Sequence, residues 1–149
     1  MLRPMPAATE IRWLAATNAD LRDLLECDAY AQSSEPRRLS LARWCAQGSA
    51  LLAEAEGRVL GFLVLEHSFF GLGFIPLICV RAAARREGLA RFLLANAESL
   101  CRTNKLFASN QSAHALFIRA SFARSGTIEN LEAGNPELVF YKALSEHGT

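Results

Sequence analysis

Four arginines (81, 85, 86 and 91) and one acid, Glu87, fall within eleven residues, a local charge of +3 in a chain whose formal total is +1. The other 138 residues sum to −2, so the positive charge is gathered at one place. Ahead of it runs Phe74-Ile-Pro-Leu-Ile-Cys-Val80, apolar and too short for a helix. Behind it Leu89, Phe92, Leu93, Ala97 and Leu100 recur at helical spacing. The pattern predicts a strand, a basic loop and a helix. A helix start presents unpaired backbone N–H groups and partial positive charge, which suits a phosphate or pyrophosphate. Gly88 has no side chain to keep an anion from the backbone. A second reading competes, because Ala82 to Arg85 are good helix formers. Arg81 to Thr103 would then be one amphipathic helix, with Gly88 inside it at a cost of about 1 kcal/mol.

Arg85-Arg86-Glu87-Gly88-Leu89-Ala90 resembles the Arg/Gln-x-x-Gly-x-Gly/Ala signature of the GNAT superfamily, N-acyltransferases that use acyl-coenzyme A. Val80 stands where that family ends the preceding strand on an apolar residue. A second segment, Asn110-Gln-Ser-Ala113-His-Ala-Leu116-Phe117-Ile-Arg-Ala-Ser121-Phe122, resembles the family's Asn-x-x-Ala-x-x-Leu-Tyr-x-x-x-Gly-Phe, in the family's order. The resemblance implies one N-acetyltransferase domain over residues 1–149. Its class is α/β (α+β), with a mixed, mostly antiparallel sheet of about seven strands and about four helices. It also implies acetyl-CoA (coenzyme A) as cofactor. The pantetheine arm would pair with backbone at Ile78, Cys79 and Val80, in a gap that the family opens beside a bulged fourth strand. The loop from Arg85 through Arg86, Glu87, Gly88, Leu89 and Ala90 to Arg91 would hold the pyrophosphate through its N–H groups. Asn110 would bond the arm, with Ala113 and Phe117 beside it.

The reaction so implied is direct attack of an amine on the thioester in a ternary complex. It requires an oxyanion donor, for which the resemblance offers the Val80 or Cys79 backbone N–H, together with a proton acceptor and a proton donor. Many family members carry Tyr at the place of Phe117, and Phe has no proton to give. Tyr141 or a water could protonate the thiolate, the thiolate could leave unassisted, or the protein could bind acyl-CoA with little turnover, as a sensor or interaction module. Phe74 and Lys105 stand where particular relatives have a glutamate, leaving Glu66 and His67, at an expected strand end, as candidate bases. Ser121 replaces the family's usual Gly, and a left-handed backbone there would cost roughly 1 kcal/mol. Cys79 reads as a small apolar filler and His114 as a surface or packed residue.

The elements that must position these groups are legible in order. Ile11 to Ala15 alternates as a strand, and Thr17-Asn-Ala-Asp20 reads as a capping box for a helix bearing Leu21, Leu24 and Leu25. Pro36 suits the first turn of a second helix, carrying Leu41, Trp44 and Cys45 and ending at Gly48. By resemblance, Tyr30, Gln32, Ser33, Ser34 and Glu35 between these helices border the acceptor; an ordinary polar loop is the alternative. Ala50 to Ala55 and Val59 to Leu65 form a hairpin around Glu56-Gly57-Arg58, followed by a turn at His67 to Gly73. Phe69 and Phe70 in that turn cap the core or form an apolar lip. Pro76 lacks a ladder donor and marks an edge or a bulge. Lys105 to Ser109 reads as a strand, Asn110 to Ala120 as a helix, and Phe122 to Ile128 and Leu138 to Leu144 as closing strands.

A hydrophobic fraction of 51% and a charged fraction of 21% suit a folded domain with a real core. Net charge of +1 argues against nucleic acid as partner. No run approaches the roughly 18 apolar residues that would cross a membrane, and Met1-Leu-Arg-Pro-Met-Pro has no signal-peptide core. Cys27, Cys45, Cys79 and Cys101 show no Cys-x-x-Cys spacing, and His67, His114 and His147 no ligand spacing. Free thiols in a reducing cytoplasm and no metal site are expected. The expected partner is a small-molecule or peptide amine acceptor, with a homodimer left open.

Overall fold

The computed structural model describes residues 10–13, 21–85, 88–110 and 114–144. Among them are seven strands: β1 (Glu10–Trp13), β2 (Ala50–Ala55), β3 (Arg58–Phe69), β4 (Leu72–Val80), β5 (Lys105–Asn110), β6 (Ala123–Ile128) and β7 (Glu137–Ala143). Four α-helices accompany them: α1 (Leu21–Cys27), α2 (Glu35–Gln47), α3 (Leu89–Leu100) and α4 (His114–Arg119). The strands form one sheet in the order β1-β2-β3-β4-β5-β7-β6. The β4–β5 ladder is parallel, whereas β1–β2, β2–β3, β5–β7 and β6–β7 are antiparallel. The mixed, mostly antiparallel sheet expected from the sequence is thus observed. Leu14, Ala15 and the expected capping box at Thr17 to Asp20 lie outside the described residues.

By its contacts the chain divides into two compact units, Met1–Val64 with Ile78–Asn96, and Leu65–Leu77 with Ala97–Thr149. In the first, β2 is buried along nearly its whole length, as is the middle of β3, so both faces of these strands are covered. Leu24, Leu41, Leu51, Leu52, Phe62, Leu63, Leu89, Leu93 and Leu94 are buried there. Helix α2 has Pro36 in its first turn, as expected, and is capped by the Ser34 hydroxyl, which accepts from the Arg37 N–H at 3.3 Å.

In the second unit Phe117 stacks on Phe140 at 4.9 Å between ring centroids and meets Phe122 edge-on at 5.3 Å. Lys142 Nζ joins Glu98 Oε1 at 2.7 Å and donates to the Ala120 carbonyl at 2.9 Å. The parallel ladder pairs Gly73, Phe74 and Ile75 with Leu106, Phe107 and Ala108. Its last pair falls immediately before Pro76, which has no N–H to continue it. β4 lies between β3 and β5 in the strand order, but its ladder with β5 stops at Ile75, so on that side the strand runs as a local edge from Pro76 onward.

Two boundaries differ from expectation. β3 continues through Glu66 and His67 to Phe69, and the turn is the pair Phe70-Gly71, both with positive φ (55° and 78°). Alternation across the pleat is satisfied by Glu, His and Ser as well as by apolar residues, so polarity alone ended the expected strand too early. Asn110 is the last residue of β5, and α4 begins at His114 among the described residues.

Candidate active site

Ile78, Cys79 and Val80, the end of β4, are half-buried. A Cβ on Gly61 of β3 would come within 2.8 Å of the Cys79 carbonyl oxygen and 3.2 Å of the Val80 Cα. Glycine therefore lets the two backbones touch. The next residue, Arg81, was expected to add charge to the basic loop; it is buried instead. Its main-chain N–H donates to Leu60 O at 2.8 Å, its Nε–H to Val59 O at 2.9 Å, and its Nη1 meets Glu26 Oε2 at 2.7 Å. Arg81, through its hydrogen bond first and its charge second, holds the Glu26 carboxyl below the usual carboxylate range. The positive charge left for an anion thus lies on the later arginines.

After a short 3-10 turn over Ala82–Ala84, Arg85 is exposed and its Nε–H donates to the Val80 carbonyl at 3.3 Å. Arg86 and Glu87 lie outside the described residues. Gly88 has φ of 74°, and nothing lies within 4 Å of where its Cβ would be. Its carbonyl accepts the first helical bond, from Phe92 N–H at 3.1 Å. The N–H groups of Leu89, Ala90 and Arg91 therefore have no partner within α3. Leu89 is buried and Arg91 exposed, so the helix is seated by its apolar face while its basic face stays in solvent. The single long helix from Arg81 to Thr103 is excluded. An open, left-handed glycine followed by three amides with no partner inside their own helix is a cradle that fits a diphosphate.

Cys79 is held in its thiol form. Burial, then the nearby Asp28 charge, pushes its thiol up to about 12, and burial pushes Cys27 up to about 11. All four cysteines are free.

The other expected site residues are placed as follows. Asn110 is half-buried at the end of β5, and Ala113 lies outside the described residues. Phe117 is wholly buried in its aromatic cluster. Tyr141 is half-buried in β7, its ring 5.4 Å from Phe107, and its hydroxyl makes no hydrogen bond among the described residues. Glu66 Oε2 accepts from the Ser68 hydroxyl at 3.0 Å. His67 Nε2 accepts the Arg102 N–H at 3.0 Å and its Nδ1 lies 3.3 Å from Arg102 Nη2, so both ring nitrogens face the same arginine. Burial, then the Arg102 charge, lowers the His67 pKa and keeps the ring neutral. Phe69 stacks on Phe74 at 4.8 Å and lies 5.1 Å from Phe107, while Phe70 is 89% exposed.

Between α1 and α2, Asp28 is buried and paired with Arg37 at 2.8 Å, and the Arg37 guanidinium lies 4.7 Å over the Tyr30 ring. Gln32 Nε2 donates to the Leu25 carbonyl of α1, the Ser33 hydroxyl donates to the Tyr30 carbonyl, and the Ser34 hydroxyl accepts from the Arg37 N–H of α2. Tyr30 and Glu35 remain exposed. Asp28, Arg37 and Gly61 were not identified from sequence. A carboxylate and a guanidinium nine positions apart across a turn carry no periodic signal, and a close approach between strands requires the register.

The acetyltransferase (GNAT) family model matches residues 18–122, and the chain belongs to that family. No curated protein sequence matches the chain significantly. Among solved structures, a GNAT-family acetyltransferase from Bacillus cereus ATCC 10987 is 28% identical, with a TM-score of 0.80 over 94% of this chain and 100% of that one. A ribosomal-protein-alanine N-acetyltransferase from Brucella melitensis is 25% identical, with a TM-score of 0.67 over 91% of this chain and 99% of that one. The fold is also shared with yncA from Salmonella typhimurium, solved with its cofactor acetyl-CoA: 20% identity, TM-score 0.68, 95% of this chain and 97% of that one.

Proposed function

We propose that the protein is an N-acetyltransferase that moves the acetyl group of acetyl-CoA to a primary amine by direct attack in a ternary complex. The observation that carries this reading is the left-handed, unobstructed Gly88 immediately before the first-turn amides of α3, which have no partner inside the helix, within a chain of this family. Acetyl-CoA supplies an acyl group already activated as a thioester. The amides of Leu89, Ala90 and Arg91 hold its diphosphate, with Arg85 and Arg91 adding charge. Ile78, Cys79 and Val80 offer backbone groups to the arm, and the Val80 N–H serves the developing oxyanion. Asn110 bonds the arm. Tyr141, whose hydroxyl is unengaged among the described residues, supplies the proton to the leaving thiolate. Glu66 accepts the amine proton in preference to His67, whose lone pair is committed to Arg102.

One observation favours a second reading. Phe117, at the place of the family's usual tyrosine, is wholly buried in an aromatic cluster, as expected of a module that binds acyl-CoA with little turnover. Thiol release from acetyl-CoA separates the two. The panel contains small amines, polyamines, amino acids and N-terminal peptides, among them an alanine-initiated peptide like the substrate named for the Brucella relative. Release with any acceptor supports the transferase; tight binding without release supports the module.

A further inference from the structure

We propose that Arg81 is a positioning residue, which fixes the backbone at the end of β4 so that acetyl-CoA's arm and thioester meet it in register. The proposal rests on the assignment of Ile78 to Val80 to the arm. Four bonds converge on Arg81. Its amide and Nε–H reach successive carbonyls of β3, at Leu60 and Val59, and its Nη1 reaches Glu26 near the end of α1. Its own carbonyl accepts the Ala84 N–H at 2.8 Å, which starts the turn toward the diphosphate loop. The side chain therefore ties a helix and a strand to the peptide that follows Val80, while the main chain of the same residue starts the loop.

The neighbouring contact completes the clamp. Gly61 lets β3 sit directly against the Cys79 carbonyl and the Val80 Cα, so the strand end cannot shift toward β3. Arg81 prevents it from shifting away. Burying a guanidinium is costly unless its donors are met. An apolar side chain there would demand no carboxylate on an exposed helix position. The guanidinium reaches the strand carbonyl and the carboxylate from two separate atoms, Nε and Nη1, a spacing that the single nitrogen of lysine does not reproduce. The diphosphate loop lies farther along the chain and draws on the amides of α3, so Arg81 should affect the arm more than the nucleotide.

The test is calorimetric titration of wild type, Arg81→Lys and Glu26→Gln with two probes, acetyl-CoA and 3′-phospho-ADP, the nucleotide half without arm or thioester. Thermal melting confirms that each variant is folded. Arg81→Lys is expected to bind acetyl-CoA about tenfold more weakly while holding 3′-phospho-ADP within about twofold of wild type. Glu26→Gln is expected to move in the same direction by less, and decides the matter alone should Arg81→Lys fail to fold. Equal weakening of both probes, or of neither, overturns the proposal, because a brace of the fold alone does not change the ratio. Wild type that binds neither probe overturns the cofactor assignment itself, a result visible before any variant is compared.

Discussion

Gly88→Ala isolates the anion cradle, and the structure supplies its own control. An alanine in the left-handed region costs about 1–2 kcal/mol. Nothing lies within 4 Å of the added methyl at Gly88, so no clash adds to that cost. Gly57, in the β2–β3 turn, has φ of 75° and is equally unobstructed. Gly88→Ala and Gly57→Ala should therefore lose the same stability, lowering Tm by roughly 2–4 °C per kcal/mol in a chain of this size. They should differ in binding. A methyl at Gly88 displaces the diphosphate from the helix amides, and one charge-assisted hydrogen bond is worth about 1.5–3 kcal/mol. That corresponds to roughly 10- to 150-fold in the dissociation constant for acetyl-CoA. Calorimetry with acetyl-CoA measures the affinity. Thermal melting with and without ligand measures the strain, since ligand at 100 times its Kd adds about 2.7 kcal/mol. Gly88→Ala binding acetyl-CoA within about threefold of wild type, or Gly57→Ala losing as much affinity, would refute the reasoning.

Three further outcomes are expected. Ser121 sits at the end of α4 with φ of 71°, so Ser121→Gly should stabilise the fold by up to about 1 kcal/mol in chemical denaturation; destabilisation would show that the side chain compensates its strain. With its thiol pushed up to about 12, Cys79 should be about 10⁻⁴ thiolate at pH 8 and alkylate about 10³-fold more slowly than an ordinary thiol; peptide mapping after iodoacetamide reads this, and rapid labelling contradicts it. Arg81 lowers the folded-state pKa of Glu26, so the pair's stabilisation is complete above the ordinary glutamate range and is lost as pH falls through the folded value. Glu26→Gln should flatten the acid limb of Tm against pH, and an unchanged limb would remove the pair from acid stability.

What was legible in the sequence is what depends on local pattern. Pro36 marked the first turn of a helix, and Glu56-Gly57-Arg58 marked a hairpin. The break at Gly88 followed from a glycine between a basic run and an apolar helical stripe. Ser121 could be assigned its strained backbone only through a family pattern, because its neighbours in sequence carry no turn signal. What was not legible depends on contacts distant in sequence. Arg81 counts the same as Arg85 in a tally of charge, yet 55 residues separate it from Glu26, the partner that draws it inward. His67 looked like a base until its Nε2 was found on the Arg102 amide, 35 residues away. Gly61 is one apolar-strand residue among many until β3 is laid against Cys79.

Amide shifts of ¹⁵N-labelled protein titrated with acetyl-CoA test the central claim most directly. The account predicts the largest changes at Leu89, Ala90 and Arg91, with downfield movement as their N–H groups meet phosphate, and a second group at Ile78 to Val80. Saturable binding that leaves these amides in place and shifts another surface would contradict it.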